Sequence, residues 1–188
     1  MAVELVFETH ATTVDNEQGR ATGWQPGRLS HQGRAQARQL GDRRRDDGIA
    51  AVFSSDLARA AETAAIAFDG SAIPVLLDWR LRECNYGTRN GMPVAELHAA
   101  RREHLDRSYP GGESWRQAVA RVGRFLEDLP LHWEGQRVAV IGHVATRWGL
   151  DHFIAGVPLE DLIDQDFAWQ EGWEYRLLGG QGAGECHH

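Results

Sequence analysis

The sequence predicts an α/β fold, a three-layer sandwich in which a mostly parallel central sheet carries helices on both faces. Three observations lead there. Short apolar, β-rich runs recur at residues 3–7, 50–53, 73–77 and 137–141. Between them lie segments with apolar residues at helical spacing, and strands that alternate with helices pair in parallel because a parallel crossover needs a covering element. The chain has 188 residues, enough for one ordinary core. Residues 1–178 are therefore expected to form a single domain, followed by a flexible glycine-rich tail at 179–188 that ends in an inert Cys186-His187-His188.

Each element has its own signal. The run Val-Glu-Leu-Val-Phe at residues 3–7 and its three counterparts are short and apolar enough to be buried strands. Ser30 can cap a helix whose polar side carries arginines from Arg34 to Arg45. Asp56 is expected to open a second helix through Leu57, Ala60, Ala61 and Ala64. Ser114 opens a third, with Val119, Val122, Phe125, Leu126 and Leu129 on one face, and Pro130 is expected to end it for want of an amide donor. In such sheets ligands bind beyond the carboxyl ends of the strands, which puts His10, Ser54-Ser55 and Gly142-His143 at one rim. Segments 22–28 and 82–93, rich in Gly, Pro and Asn, read as loops over that rim.

Composition removes whole classes of chemistry. The 20 basic against 27 acidic residues give a formal charge of −7, so no general field draws in nucleic acid or an anionic membrane. Every basic residue is arginine, which excludes a Walker-type loop and a Schiff-base lysine. No G-x-S-x-G elbow and no G-x-G-x-x-G turn occurs. The two cysteines, Cys84 and Cys186, support neither a disulfide framework nor a four-ligand zinc site. No apolar run approaches the ~20 residues that span a bilayer, and the N-terminus has no leader-like pattern, so a soluble cytoplasmic protein is expected.

His10 and His143 stand apart from the other histidines because both follow a strand. His31, His98, His104, His132 and His152 read as packed or surface residues. Between the two lie Ser54-Ser-Asp-Leu-Ala-Arg-Ala-Ala-Glu-Thr63, then Arg80-Leu-Arg-Glu-Cys-Asn-Tyr-Gly87 and Pro110-Gly-Gly-Glu-Ser114. With Thr9-His10-Ala11, Asn16, Thr22-Gly23-Trp24 and Ile141-Gly142-His143, these motifs resemble, in order and spacing, those of the histidine phosphatase superfamily, the phosphoglycerate-mutase-like fold, over about residues 3–178.

The resemblance implies catalytic roles for four residues. His10 becomes the nucleophile that forms a phosphohistidine, Arg59 and His143 hold the phosphoryl oxygens, and Glu83 protonates the leaving oxygen and then activates water. Thr9, Asn16, Thr22, Gly23, Tyr86 and Val144 become substrate-binding residues, with Asn16, Thr22 and Gly23 as neutral donors. No cofactor and no metal is implied. The implied partner is a small phosphorylated metabolite, with no nucleic acid and no membrane; a homodimer is left open. The sequence also departs from the family pattern: Thr9 stands where the family has arginine, Ala11 where it has glycine, and Thr12 where it has Glu or Gln. One permanent cation is missing, and the retention of the other four groups favours Arg20, Arg28 or Arg147 in its place. Hydrolysis is favoured over mutase activity, because mutases of this superfamily carry a longer insertion than the about 50 residues between Gly87 and Arg137. A member with an altered site that binds or transforms another substrate is the second reading.

Overall fold

The computed structural model describes residues 1–179, so the expected tail and its Cys-His-His end lie outside the described residues except for Gly179. In chain order the elements are β1 (Ala2–Thr9), α1 (Val14–Glu17), β2 (Arg20–Ala21), α2 (His31–Arg44), β3 (Ile49–Ser54), α3 (Ala58–Ala67), β4 (Val75–Leu77), β5 (Met92–Pro93), α4 (Val94–Ala100), α5 (Trp115–Trp133), β6 (Arg137–Gly142), α6 (Val144–Phe153), α7 (Leu159–Leu162) and β7 (Trp173–Leu178). A five-stranded sheet runs β4-β3-β6-β1-β7, parallel throughout except for β7, which pairs antiparallel with β1. A two-residue ladder joins β2 to β5 above the rim.

The alternation of side chains along the strands builds the layers. Leu5 and Phe7 of β1, Phe53 of β3 and Val140 of β6 pack with Val122, Phe125 and Leu129 of α5. Val6, Val52 and Ile141 point the other way, onto Leu40 of α2 and Ala60 and Ala64 of α3. Each of the fully buried Val, Leu, Ile and Phe side chains contributes ~1.5–3 kcal/mol of transfer free energy. The mostly parallel sheet with helices on both faces is thus the fold that the sequence predicts.

Four local expectations need correction. Helix α3 begins at Ala58, and Asp56 does not cap it, because its carboxylate is held by Arg82 through bonds of 2.7 and 2.6 Å. Helix α5 runs past Pro130 to Trp133. The lost bond falls in its last turn, where buried Leu129 and the Trp133 ring, edge-on to Phe53 at 5.6 Å, keep the segment on the core. The third apolar run is not buried: β4 is an edge strand whose Val75, Leu76 and Leu77 are all exposed. Strand β7 was not expected, since Trp-Glu-Tyr-Arg-Leu-Leu carries alternating charges suited to an edge.

Helix α6, which follows the late histidine, is held close to α5 by a glycine. A Cβ added at Gly149 would lie 2.5 Å from the Val122 Cβ. Gly149→Ala is therefore expected to cost ~1–3 kcal/mol through overpacking and to lower Tm by several degrees in a thermal melt; an unchanged Tm would show that the two helices can part freely.

Candidate active site

The register of β1 on β6 brings the two histidines together. Thr9 pairs with Gly142, and the His10 amide donates to the Gly142 carbonyl at 3.0 Å. The next residue on each strand is a histidine, and the ring centroids lie 5.0 Å apart. His10 Nδ1 lies 2.8 Å from the Ala11 carbonyl oxygen. A carbonyl only accepts, so Nδ1 carries the proton and Nε2 keeps its lone pair. The Arg59 Nε donates toward that nitrogen at 3.3 Å. Enclosure by protein, reinforced by the Arg59 charge and opposed by the Ala11 bond, lowers the His10 pKa to about 3.

Arg59 is 2% exposed, and among the described residues no carboxylate pairs with it. Its Nη2 donates to the Gly23 carbonyl at 2.9 Å and its Nη1 to that of Gln25 at 3.4 Å. One turn on, the Thr63 hydroxyl donates to the Arg59 carbonyl at 2.7 Å and accepts from the Ala11 amide at 3.0 Å, which ties the helix to the residue after His10. The next amide, that of Thr12, donates to Gln36 Oε1 at 2.9 Å.

His143 is buried, with Nε2 2.9 Å from the Ser55 hydroxyl, while Nδ1 has no partner among the described residues. Burial, then the charges of Arg59, His10 and Arg121, push its pKa well down. Glu83 Oε1 accepts from the Cys84 amide at 2.9 Å and from the Ala145 amide, at the start of α6, at 3.1 Å. Burial raises its pKa and outweighs the amides and Arg59. The Glu83 carbonyl is gripped by Trp24 Nε1 at 2.6 Å and Arg121 Nη2 at 3.1 Å. Arg121 in turn pairs with Glu113 at 2.7 Å. Arg80 and Arg82 pair with Asp78 and Asp56, not with Glu83.

All ten residues singled out from the sequence, Thr9, His10, Asn16, Thr22, Gly23, Arg59, Glu83, Tyr86, His143 and Val144, line one cavity of about 680 Å³. The expected neutral donors differ in detail. Gly23 offers its carbonyl to Arg59, the Thr22 hydroxyl is spent on Asp15 at 2.9 Å, and Asn16 Oδ1 accepts from the Thr13 amide at 3.0 Å. Gly23 has φ +57 and no room for a Cβ beside Asn90 and Tyr86, so the turn that aims its carbonyl requires glycine. Of the three candidate replacements for the missing cation, only Arg20 reaches the cavity wall. Arg28 is exposed outside it, and Arg147 pairs with Asp151 at 2.8 Å and lies over the Trp173 ring.

Sequence reasoning left several residues unassigned. Ser55 and Thr63 orient His143 and Arg59 from within a motif already noted. His98 is on the surface, as expected, at the edge of the cavity, and Arg101 also lines it. The available signal was the spacing of Val94, Leu97 and Arg101, which puts an arginine on the apolar face of a helix.

Fold and rim together define an α/β protein of the phosphoglycerate-mutase-like class. The chain belongs to the histidine phosphatase superfamily: the family model for its branch 1 matches residues 5–170. A 2,3-bisphosphoglycerate-dependent phosphoglycerate mutase 2 of Latilactobacillus sakei is 30% identical, with 93% of each chain covered. Among solved structures, Bacillus stearothermophilus YhfR superposes with a TM-score of 0.81 at 24% identity, over 97% of this chain and 98% of that one. A mycobacterial glucosyl-3-phosphoglycerate phosphatase gives 0.75 at 27% identity, over 87% and 84%.

Arg59 is the one arginine whose charge bears on both histidines. Thr9→Arg is accordingly expected to tighten inorganic phosphate by ~10–100-fold in calorimetry, the worth of one charge-assisted bidentate contact. Weaker binding would mean that Arg20 already fills that space.

Proposed function

We propose that the protein is a phosphomonoester hydrolase that acts on a small metabolite through a phosphohistidine on His10, without a metal. The observation that carries this reading is the fixed tautomer of His10, with the Nε2 lone pair facing Arg59 in the cavity. Nε2 attacks phosphorus and the P–O ester bond breaks opposite it. The departing oxygen takes a proton from the Glu83 carboxyl, whose pKa burial raises. Water then attacks the phosphohistidine and gives its proton back to Glu83, and the N–P bond breaks to release inorganic phosphate. The Arg59 guanidinium, with no carboxylate of its own, pairs with the phosphoryl oxygens. A Ser55 hydroxyl that donates to His143 Nε2 leaves the proton on Nδ1, the nitrogen without a protein partner, where it can serve the same oxygens. Relatives named as mutases and as a phosphatase are alike compatible with the site. The short segment between the acid loop and β6 supports hydrolysis.

His10→Ala is expected to remove more than ~99% of turnover of an aryl phosphate while leaving the thermal melt unchanged, since the residue supplies a bond and not packing. Rapid quench of the wild type with labelled substrate should trap an acid-labile, base-stable phosphoenzyme. Persistence of turnover in the variant would defeat the reading.

The pH profile of kcat/KM reports free-enzyme ionisations. His10 must be neutral, so activity rises as pH passes about 3. Glu83 must be protonated, so activity falls as pH rises through its value, which burial sets above the ordinary 4.5. Glu83→Gln should abolish that falling limb and slow phosphorylation by alkyl esters ~10-fold or more beyond its effect on aryl esters. A falling limb that survives the substitution would take Glu83 out of the acid role.

A further inference from the structure

The cavity extends to both sides of His10, and the sheet order tells the sides apart. Strand β1 lies between β6 and β7. The acid is on the β6 side, because Glu83 accepts from the Ala145 amide at the start of α6, the helix that follows β6. A leaving group that takes its proton from Glu83 departs toward that side. On the other side β7 begins at Trp173, opposite Phe7, so its ladder stops short of Glu8 and Thr9, whereas β6 pairs with both. Over this half-paired end of β1 the cavity continues as a lobe lined by Gln36, Gln39, Arg43, Phe167, Trp169 and Glu171. Gln36 of α2 fixes its near edge through the Thr12 amide, and the Phe167 ring, 5.8 Å from that of Trp173, anchors its far wall. The chemistry above leaves this lobe unused.

Charge limits what each region can hold. Among the described residues Arg59 is the only cation in contact with His10, and the Ala11 and Thr12 amides beside it are spent on Thr63 and Gln36. Arg20 is exposed, and its Nη1 donates to the Gly91 carbonyl at 3.1 Å. Thr9 and Asn16 bring no charge. One guanidinium balances one negative charge on phosphorus, which is the charge of a phosphodiester, whereas a monoester carries ~1.5–2 near neutral pH. The lobe is already balanced within itself. Glu8 lies 2.8 Å from Arg44 and 3.5 Å from Arg43, and Glu171 lies 3.9 Å from Arg43. With these charges matched, two carboxamides and two aromatic rings are left to meet a ligand, a wall suited to an uncharged group with a flat apolar face.

We propose that the protein also hydrolyses phosphodiesters: one alcohol leaves toward Glu83, while the other, uncharged and with a flat apolar face, stays on phosphorus and occupies the lobe beyond Thr9. The step rests on the His10 and Glu83 chemistry of the hydrolase reading. Nε2 attacks phosphorus, the P–O bond on the Glu83 side breaks, and the departing oxygen takes the Glu83 proton, which leaves a phosphohistidine still esterified to the second alcohol. Water then attacks phosphorus, gives a proton back to Glu83 and breaks the N–P bond, and a phosphomonoester is released.

The probes are 4-nitrophenyl phosphate, methyl 4-nitrophenyl phosphate and phenyl 4-nitrophenyl phosphate, which share one leaving group. The wild type is expected to turn over the phenyl diester with a kcat/KM within ~10-fold of the monoester, and His10→Ala to lose both activities. Thr9→Arg, which adds a second cation at the mouth of the lobe, should shift the diester-to-monoester ratio ~10–100-fold toward the monoester. Trp169, 61% exposed, can be replaced without risk to the core. Trp169→Ala should lower the preference for the phenyl over the methyl diester by ~3-fold or more, the worth of an aromatic contact, in a ratio that cancels the intrinsic reactivity of the two esters. If Thr9→Arg does not fold, the wild-type ratio and Trp169→Ala decide. A diester more than ~10-fold poorer than the monoester in the wild type, diester turnover that survives His10→Ala, or a ratio that its variant leaves unmoved overturns the proposal while the hydrolase reading stands. No turnover of any of the three esters overturns both.

Discussion

The bond from the His10 amide to the Gly142 carbonyl is the constraint on which the remaining geometry depends. It continues the β1–β6 ladder one step past the last strand residue and so sets two histidines from distant parts of the chain 5.0 Å apart. A one-residue slip in this register would turn every core side chain of β1 to the wrong layer. The hydrophobic pattern of residues 3–7 therefore fixes the relative position of the reactive groups as firmly as it fixes the core. Strand β3, on the other side of β6, adds Ser55, whose amide reaches Ile141 and whose hydroxyl meets His143.

Around that point the charges are arranged by burial more than by pairing. The surface is laced with arginine–carboxylate pairs, yet Arg59 and Glu83, both nearly inaccessible, contact main-chain groups instead of each other. Main-chain dipoles are fixed by the fold and need no reorganisation, so they hold the side chains without cancelling their charge. The result is an unneutralised guanidinium, two imidazoles kept neutral and a carboxyl biased toward its protonated form. Trp24 links the two halves of this arrangement: its indole holds the Glu83 carbonyl, and the residue before it offers the carbonyl that receives Arg59.

Much of this was legible in the chain because strand ends and motif spacing are local. Apolar runs located four strands of the sheet, and their following residues gave His10, Ser55 and His143. Several of the errors share a cause, which is that a side chain's partner can be remote in sequence. Asp56 looks like a helix cap until Arg82, 26 positions on, takes its carboxylate. Pro130 looks like a helix end until Phe53 and Trp133 meet. Arg147 sits four residues beyond His143 but is drawn off by Asp151 and Trp173.

The amides of Ala11 and Thr12 are already committed to Thr63 and Gln36. No main-chain cradle follows His10, so an oxyanion there must be met by side chains drawn from separate strand ends and loops. For evolution this is a permissive arrangement. Each contact can be exchanged by a single substitution while the backbone that presents His10 keeps its shape. A lineage built this way can drift between substrates one side chain at a time.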